Sequence, residues 1–406
     1  MKTTQQHPDR IASERKARRG VWAAGVIVWL AGTLAGPVHA QFRVGFMGPM
    51  SGPLGITGQE LKRGFDLALE HLGGRIGGQD TVVSYANDQG SPSIAVSEFA
   101  RLIDKDRIDV LVGIAASNVA MAVSQPAANA GVTVLLAHAG PNDLAGKGCM
   151  ENVFGIGHQN EQFGEAIGRY IKQAGAKSVF AMGLDYQAGW EMVDAVQAGL
   201  GAPVSGKALT AMSQVDFAPE LARVREAKPD ALFAFYPGSA AVAFVRQYAG
   251  SGIKSQVPLY SVGAIADSLV IRAQGDAALG VVSANTWNAN VRNSQNDRFT
   301  SEFRAKNAGR DPTTFSAQAY DTVMYLDAAL RQTQGAKDPK VLRAALRDNK
   351  GFKSIRGTVK LNTNQFIIQD MVIQRVEKDE KNGFQQKLIA TIPAVGDRFA
   401  ADCRLK

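Results

Sequence analysis

The feature that most constrains this chain is a rhythm. From Phe42 to Val262, short apolar runs alternate with segments of helical periodicity about every 25–30 residues. Residues 42–47, 82–86, 108–114 and 132–137 read as strands. The run at 108–114 is almost continuously apolar, which marks a strand covered on both faces, as in a parallel sheet. Between the strands, residues 59–72 place Leu61, Phe65, Ala68, Leu69 and Leu72 on one helical face. A second helix opens at Ser91-Pro92, and a third spans 117–130. The rhythm then restarts: helices at 163–173, 189–199, 217–227 and 240–250 lead to strands at 178–183, 204–209, 231–235 and 258–262. Such alternation gives parallel α/β layers, and two runs of it give two lobes. A strand at 280–284 and helices at 297–308, 314–333 and 339–348 follow. Two extended segments, 366–377 and 384–392, are joined by the polar turn 378–383 and predict a hairpin. A length of 406 residues fits two or three such domains.

The first forty residues do not belong to this pattern. Residues 10–19 are basic, 21–34 are apolar and uncharged, and Val38-His39-Ala40 precedes Gln41. This is the n-region, h-region and small-residue cleavage site of an export signal. An uncharged run of about 14 residues is shorter than the roughly 20 a spanning helix needs. Gln41 is not cysteine, so lipid attachment at a new N-terminus is excluded, and Arg18-Arg19 matches a twin-arginine signal only weakly. The expected mature chain begins at Gln41, is soluble and lies in the periplasm.

Charge is interpreted after removing that segment. Taking its six basic and two acidic residues from the totals of 45 and 37 leaves 39 against 35, or +4. No basic run with interleaved aromatics remains, which disfavours nucleic acid as a partner. In an oxidising compartment, Cys149 and Cys403, the only two cysteines, are a disulfide candidate, with two buried thiols as the alternative. No CxxC and no cysteine–histidine cluster exists, so neither zinc nor any other metal is expected. No cofactor is expected either.

Catalytic motifs fail on inspection. Gly201-x4-Gly206-Lys207-Ala208 nearly spells a phosphate loop, but Ala208 stands where a Mg²⁺-holding hydroxyl is required. It also follows a helix and opens a strand, the reverse of the required order. No G-x-S-x-G or HExxH occurs, and none of His71, His138 and His158 accompanies a nucleophile motif. The chain is expected not to be an enzyme.

Loop-to-helix junctions carry more. Gly113-Ile-Ala-Ala-Ser117-Asn118 ends an apolar strand and starts a helix. Ser117 reads as an N-cap, and equally as a ligand contact, because an exposed helix N-terminus attracts an anion. His138-Ala139-Gly140 leaves the next strand at the same edge, where ligands bind in open α/β sheets. Tyr186 and Tyr236 follow strand ends in the second lobe and read as pocket lining or loop packing.

Taken together these segments resemble the solute-binding proteins of branched-chain amino acid ABC transporters. The resemblance runs through Arg43-Val-Gly-Phe-Met-Gly-Pro-Met-Ser-Gly-Pro-Leu-Gly55, Asp109-Val-Leu-Val-Gly-Ile114 with Ser117, Asp230-Ala-Leu-Phe-Ala-Phe-Tyr-Pro-Gly238, Gly275-Asp-Ala-Ala-Leu-Gly280 and Ala319-Tyr-Asp321. It implies a type I periplasmic binding protein: two Rossmann-like lobes joined by three crossover strands, near 152–157, 281–287 and 357–360. The implied division is a signal at 1–40, one lobe at 41–155 plus 285–358, a second at 156–284 plus 359–395, and a tail at 396–406. It also implies a monomer without catalysis that passes its solute to an inner-membrane permease. Carried over, Ser117, with Asn118 as neighbour, and the backbone of His138, Ala139 and Gly140 hold the ligand carboxylate. Tyr186, Ala188 and Tyr236 line the second lobe, and Trp287 supplies a further flat wall. Gly263 stands where the amino-acid binders place an acid that pairs with the ligand ammonium, and Asp267 lies further along. The segments Asp185-Tyr-Gln-Ala-Gly-Trp190 and Tyr236-Pro-Gly238 are similar to the branch that binds aromatic carboxylates. The expected ligand is therefore an aromatic or related organic acid; the alternatives are a branched-chain or other amino acid, a sensor of the same fold, and, last, an exported hydrolase.

Overall fold

The computed structural model describes residues 41–380 and 383–405. Residues 1–40, on which the expected export signal falls, and residues 381–382 and 406 lie outside the described residues. In the first half, β1 (Phe42–Gly48), α1 (Gly55–His71), β2 (Arg75–Ile76), β3 (Gln79–Asn87), α2 (Pro92–Asp104), β4 (Val110–Gly113), α3 (Ser117–Asn129), β5 (Thr133–Leu136), α4 (Asn142–Ala145) and β6 (Val153–Gly155) follow in order. Among the described residues their strands form a six-stranded sheet in the order β2-β3-β1-β4-β5-β6. All its pairings are parallel except the short β2–β3 return.

The second half contains α5 (Asn160–Gln173), β7 (Val179–Leu184), α6 (Gln187–Leu200), β8 (Gly206–Thr210), α7 (Ala218–Ala227), β9 (Ala231–Phe235), α8 (Gly238–Gly250), β10 (Leu259–Val262), α9 (Ser268–Gln274) and β11 (Val282–Asn285). Three helices, α10 (Ser294–Lys306), α11 (Thr314–Gln332) and α12 (Pro339–Arg347), then pack back on the first sheet, and β12 (Val359–Leu361), β13 (Ile367–Asp379) and β14 (Gly383–Val395) complete the second. That sheet runs β12-β13-β11-β10-β9-β7-β8, with β14 on β13. The chain thus passes between the sheets three times: after β6, after β11 and before β12.

Strand alternation divides the core. On β1, Phe42, Val44 and Phe46 face the cluster made with α1 and α11, whereas Met47 faces the one made with α2 and α3. On β9, Leu232 and Ala234 face α7 and α8, and Ala231, Phe233 and Phe235 face α5 and α6. Each sheet is therefore buried on both sides, which is why its strands read as continuous apolar runs. Helices α5 and α6 approach closely through Gly164, Gly168 and Gly199; a Cβ on Gly168 would lie 2.5 Å from the Val196 carbonyl oxygen.

The passages between sheets share one buried cluster. Arg356 and Asp321 form a fully buried ion pair at 2.7 Å. The guanidinium also donates to the carbonyls of Ile156 and Gly157 and to Gln369 Oε1. Segments on either side of the first and third passages are thereby tied to α11. A buried pair survives when its remaining hydrogen-bonding capacity is met, as here.

The Cys149–Cys403 disulfide is present, with Cα atoms 5.6 Å apart. No helix among the described residues is long and apolar enough to cross a membrane. Gly201 ends α6 and Gly206 opens β8, so the apparent phosphate loop is a helix-to-strand connection. His71, the last residue of α1, has a 2 % exposed side chain with both ring nitrogens satisfied, by Tyr320 Oη and Glu302 Oε2 at 2.8 Å each.

Candidate functional site

The loops leaving the carboxyl ends of both sheets meet around a cavity. Its volume is about 40 Å³, where one water needs about 10–15 Å³. From the first sheet come Ala115 and Ser117 after β4 and His138 after β5. From the second come Tyr186, Ala188, Phe235, and Val262 to Ala264. The passages and their helices add His158, Asn160, Phe163, Asn285, Thr314 and Phe315.

The β4 loop is held under tension. Gly113 has φ +120°, and a Cβ there would lie 2.3 Å from the Met47 carbonyl oxygen. Ile114 follows with φ +63°, a conformation a β-branched residue rarely takes. Hydrogen bonds to Met47 and from Ala139 fix it. Such strain costs on the order of 1–3 kcal/mol and concentrates at ligand sites. It sets the start of α3 against the cavity.

Polarity at the site comes from backbone dipoles. Helix α3 begins at Ser117 and α6 at Gln187, and neither receives a side-chain cap. By contrast α5 and α11 carry capping boxes. Uncapped first turns leave N–H donors and a positive field for an anion. Ser117 is not the N-cap expected of it: Ala116 holds that position, and Ser117 Oγ accepts from Asn160 Nδ2 at 3.0 Å.

No Asp, Glu, Lys or Arg lines the cavity among the described residues. Burial lowers the pKa of His138 to about 4 and that of His158 well below its ordinary value, so both rings are neutral near pH 7. Burial pushes the Tyr186 hydroxyl up, so it too is neutral. Aromatic rings dominate the walls: Tyr186 and Phe235 stack at 6.3 Å, and Phe315 meets His138 edge-on at 4.7 Å. A Cβ on Gly263 would stand 2.7 Å from Asn285 Oδ1, so a carboxylate side chain there would have to displace that amide from its bonds with Thr286 N and Thr314 Oγ1. Asp267 is buried outside the wall, accepting from Leu269 N and Thr314 N at 3.2 Å each. Burial raises its pKa to about 7.

The two halves touch around the cavity. Glu191 on α6 accepts from Asn142 N at 2.9 Å, and Asn160 on α5 donates to Ser117 Oγ at 3.0 Å. On the far side Asp267 reaches the start of α11, and Ser268 Oγ donates to the Pro312 carbonyl at 3.2 Å.

Of the residues named from sequence, Ser117, His138, Tyr186, Ala188 and Gly263 stand together at the wall. Asn118, Ala139 and Gly140 lie just behind it. Asn118 Oδ1 accepts from Val119 N, and Gly140 packs so closely on His158 and Gln159 that a Cβ would meet the His158 carbonyl oxygen at 2.5 Å. Tyr236 and Trp287 stand elsewhere. Tyr236 is one register step beyond Phe235 and turns into the core against Phe217 and Phe244. Trp287 packs on Phe299, and its indole N–H donates to Asn296 Oδ1 at 2.8 Å. Phe163, Phe235 and Phe315 take the flat positions instead. Sequence reasoning missed them; for Phe163 and Phe315 the available signal was an aromatic in the first turns of α5 and α11.

Residues 41–382 match the family model described as periplasmic binding protein. The Leu/Ile/Val-binding protein homolog 6 of Brucella melitensis biotype 1 is 25% identical over 363 residues, 87% of this chain and 92% of that protein. A solute-binding protein of an ABC transporter from R. palustris, solved with benzoate, is 28% identical with a TM-score of 0.84, over 90% of this chain and all of that one. Another, from Rhodopseudomonas palustris BisB5, solved with 3,4-dihydroxybenzoic acid, is 27% identical with a TM-score of 0.81, over 88% of this chain and 99% of that one.

Proposed function

Because the chain belongs to the periplasmic binding protein family, a family of solute binders and not of enzymes, we propose that it captures an aromatic monocarboxylate and delivers it to an inner-membrane ABC permease. The observation that carries this reading is the charge pattern of the cavity. An α-ammonium buried without a partner carboxylate costs several kcal/mol. Gly263 leaves no acid at the wall, and Asp267 is committed to two backbone N–H groups. A ring between Tyr186, Phe235 and Phe315 carries no such cost. A carboxylate at the other end meets Ser117 and the open starts of α3 and α6. The solved relatives that bind benzoate and 3,4-dihydroxybenzoic acid support the same class.

The rival ligand is a branched-chain amino acid, favoured by the name of the Brucella relative. A thermal-shift panel separates them. Ligand at a hundredfold its Kd stabilises by about 2.7 kcal/mol. Stabilisation by leucine, isoleucine or valine, with none from benzoate-type acids, would overturn the aromatic reading.

Residues 1–40 act as a cleaved export signal; N-terminal sequencing of the secreted protein should begin at Gln41. The lobes divide as 41–155 with 285–358 and 156–284 with 359–395, leaving 396–406 as a tail. The passages after β6 and β11 and before β12 support this division.

A further inference from the structure

A chain of side-chain hydrogen bonds runs behind the cavity wall, and its polarity can be worked out link by link. It starts at Glu191, whose Oε2 accepts from Asn160 Nδ2 at 2.6 Å. With that amide nitrogen turned to Glu191 and Ser117, Asn160 Oδ1 faces His158 Nε2 at 3.2 Å. An amide oxygen only accepts, so His158 carries its proton on Nε2. Its Nδ1 is then a bare lone pair, and Gln318 Nε2 donates to it at 3.1 Å. The same nitrogen donates to Thr286 Oγ1 at 2.9 Å and lies 3.5 Å from the Gly157 carbonyl oxygen, which can only accept. Gln318 Oε1 is thereby turned to His138 Nδ1 at 2.7 Å, so His138 holds its proton on Nδ1.

A neutral imidazole has one N–H and one lone pair. With the proton on Nδ1, His138 Nε2 is an acceptor, and the ring's hydrogen bond to protein among the described residues is the one at Nδ1. The ring lines the cavity, so the lone pair is what its free nitrogen brings to a ligand. At Ser117 the sense is reversed. Its oxygen already accepts from Asn160, which leaves the hydroxyl hydrogen to donate. The two polar groups that the first sheet's loops bring to the cavity therefore ask for opposite things: an acceptor such as a carboxylate at Ser117, and a donor at His138.

We propose that His138 is a specificity-determining residue, and that the ligand carries a ring hydroxyl that donates to its Nε2. Gln318 is the positioning residue that holds this tautomer. The inference rests on the aromatic-carboxylate reading and narrows it. A lone pair facing an unsubstituted ring edge is a buried acceptor left unmet, and sites built to pair a hydroxyl reject the analogue lacking it.

The test pairs hydroxyl with fluorine, which is of similar size and cannot donate. Calorimetric titration of the intact protein uses the 2-, 3- and 4-hydroxybenzoates and the matching fluorobenzoates. At one ring position at least, the hydroxyl compound should bind tenfold or more tightly than its fluoro partner. In His138→Leu that ratio should fall to about one, with thermal unfolding confirming a folded variant. In Gln318→Met, which leaves the His138 ring in place, the ratio should also fall, while affinity for the fluoro compounds holds within threefold. Ratios near one in the wild type, or an unchanged ratio in His138→Leu, would overturn the assignment. Nitrogen-15 shifts of the His138 ring give a readout that needs no ligand: Nδ1 should be protonated and Nε2 bare, and the opposite tautomer refutes the polarity even if the leucine variant does not fold. Failure of every benzoate to bind would refute the ligand class itself, and with it the ring hydroxyl; a bare Nε2 in that case would still assign His138 as the cavity's acceptor.

Discussion

Ser117→Ala separates binding from folding more cleanly than any other change at this site. Ser117 is 2 % exposed, and its hydroxyl touches two things, Asn160 and the cavity. It caps nothing, since α3 starts from Ala116 without a side-chain cap. Removing the oxygen leaves one Asn160 N–H bonded to Glu191 and frees the other at the cavity wall that Asn160 lines, where water can take it. Alanine is also a better helix former than serine by a few tenths of a kcal/mol. Stability should therefore stay within about 1 kcal/mol of wild type, the scale of one ordinary hydrogen bond. Binding should suffer more. A hydroxyl donating to a carboxylate contributes about 1.5–3 kcal/mol, which is roughly 10- to 150-fold in Kd at 1.4 kcal/mol per decade. Titration calorimetry with the best acid of the thermal-shift panel measures the first quantity, and urea unfolding of the apo protein the second. An affinity within twofold of wild type would refute the placement of the carboxylate at Ser117. A stability loss of several kcal/mol would refute the claim that the residue is not a cap.

Three further perturbations test the fold. Gly168→Ala drives a methyl to 2.5 Å from the Val196 carbonyl oxygen; overpacking of about 1–3 kcal/mol should outweigh the helix-propensity gain, and a rise in Tm would show that α5 and α6 can part cheaply. Cys403→Ser opens a covalent loop spanning 254 residues and should lower stability by about 2–4 kcal/mol, with reduced wild type behaving alike; unchanged urea midpoints would count against it. Asp88→Asn addresses a buried carboxyl whose Oδ2 lacks a partner and whose pKa burial raises to about 6, while Oδ1 keeps the Gly90 N–H. A raised folded pKa means the acid's contribution is intact below its unfolded pKa near 3.8 and is lost as pH rises through about 6. The stability of the Asn variant relative to wild type should therefore climb by roughly 2–3 kcal/mol between pH 4 and pH 7.5; a flat difference would show that the carboxyl is better solvated than its burial suggests.

What the sequence revealed follows from where information is local. Strands such as β4 and β5 announce themselves because both faces are covered, leaving almost no polar residue within them. Helix starts were harder: α1 begins at Gly55 and α8 at Gly238, ahead of the periodic apolar residues that identify them. The short strands β2, β6 and β12 have too few residues to show a period. At the site, Ser117, His138, Tyr186, Ala188 and Gly263 were legible because parallel sheets put their ligands beyond the carboxyl ends of strands. Phe315 and Asn160 were not, since helices α11 and α5 reach the cavity only through long-range packing. The exchange of Tyr236 for Phe235 is a one-residue matter: successive side chains of a strand face opposite ways, and sequence alone did not say which face of β9 looked toward the cavity.

The disulfide has a mechanical consequence. Strand β14 ends at Val395 in the second sheet, and eight residues later Cys403 is bonded to Cys149, which precedes β6 of the first. Eight residues reach at most about 26–29 Å when fully drawn out. Three strands passing between two bodies make a joint that can bend and also twist. The tail is a fourth tie that runs beside them: Asn364 at the third passage donates to Asp397, and Arg398 pairs with Glu161 just after the first. In the oxidised protein any movement of one sheet against the other must keep the end of β14 within that strap's reach of Cys149.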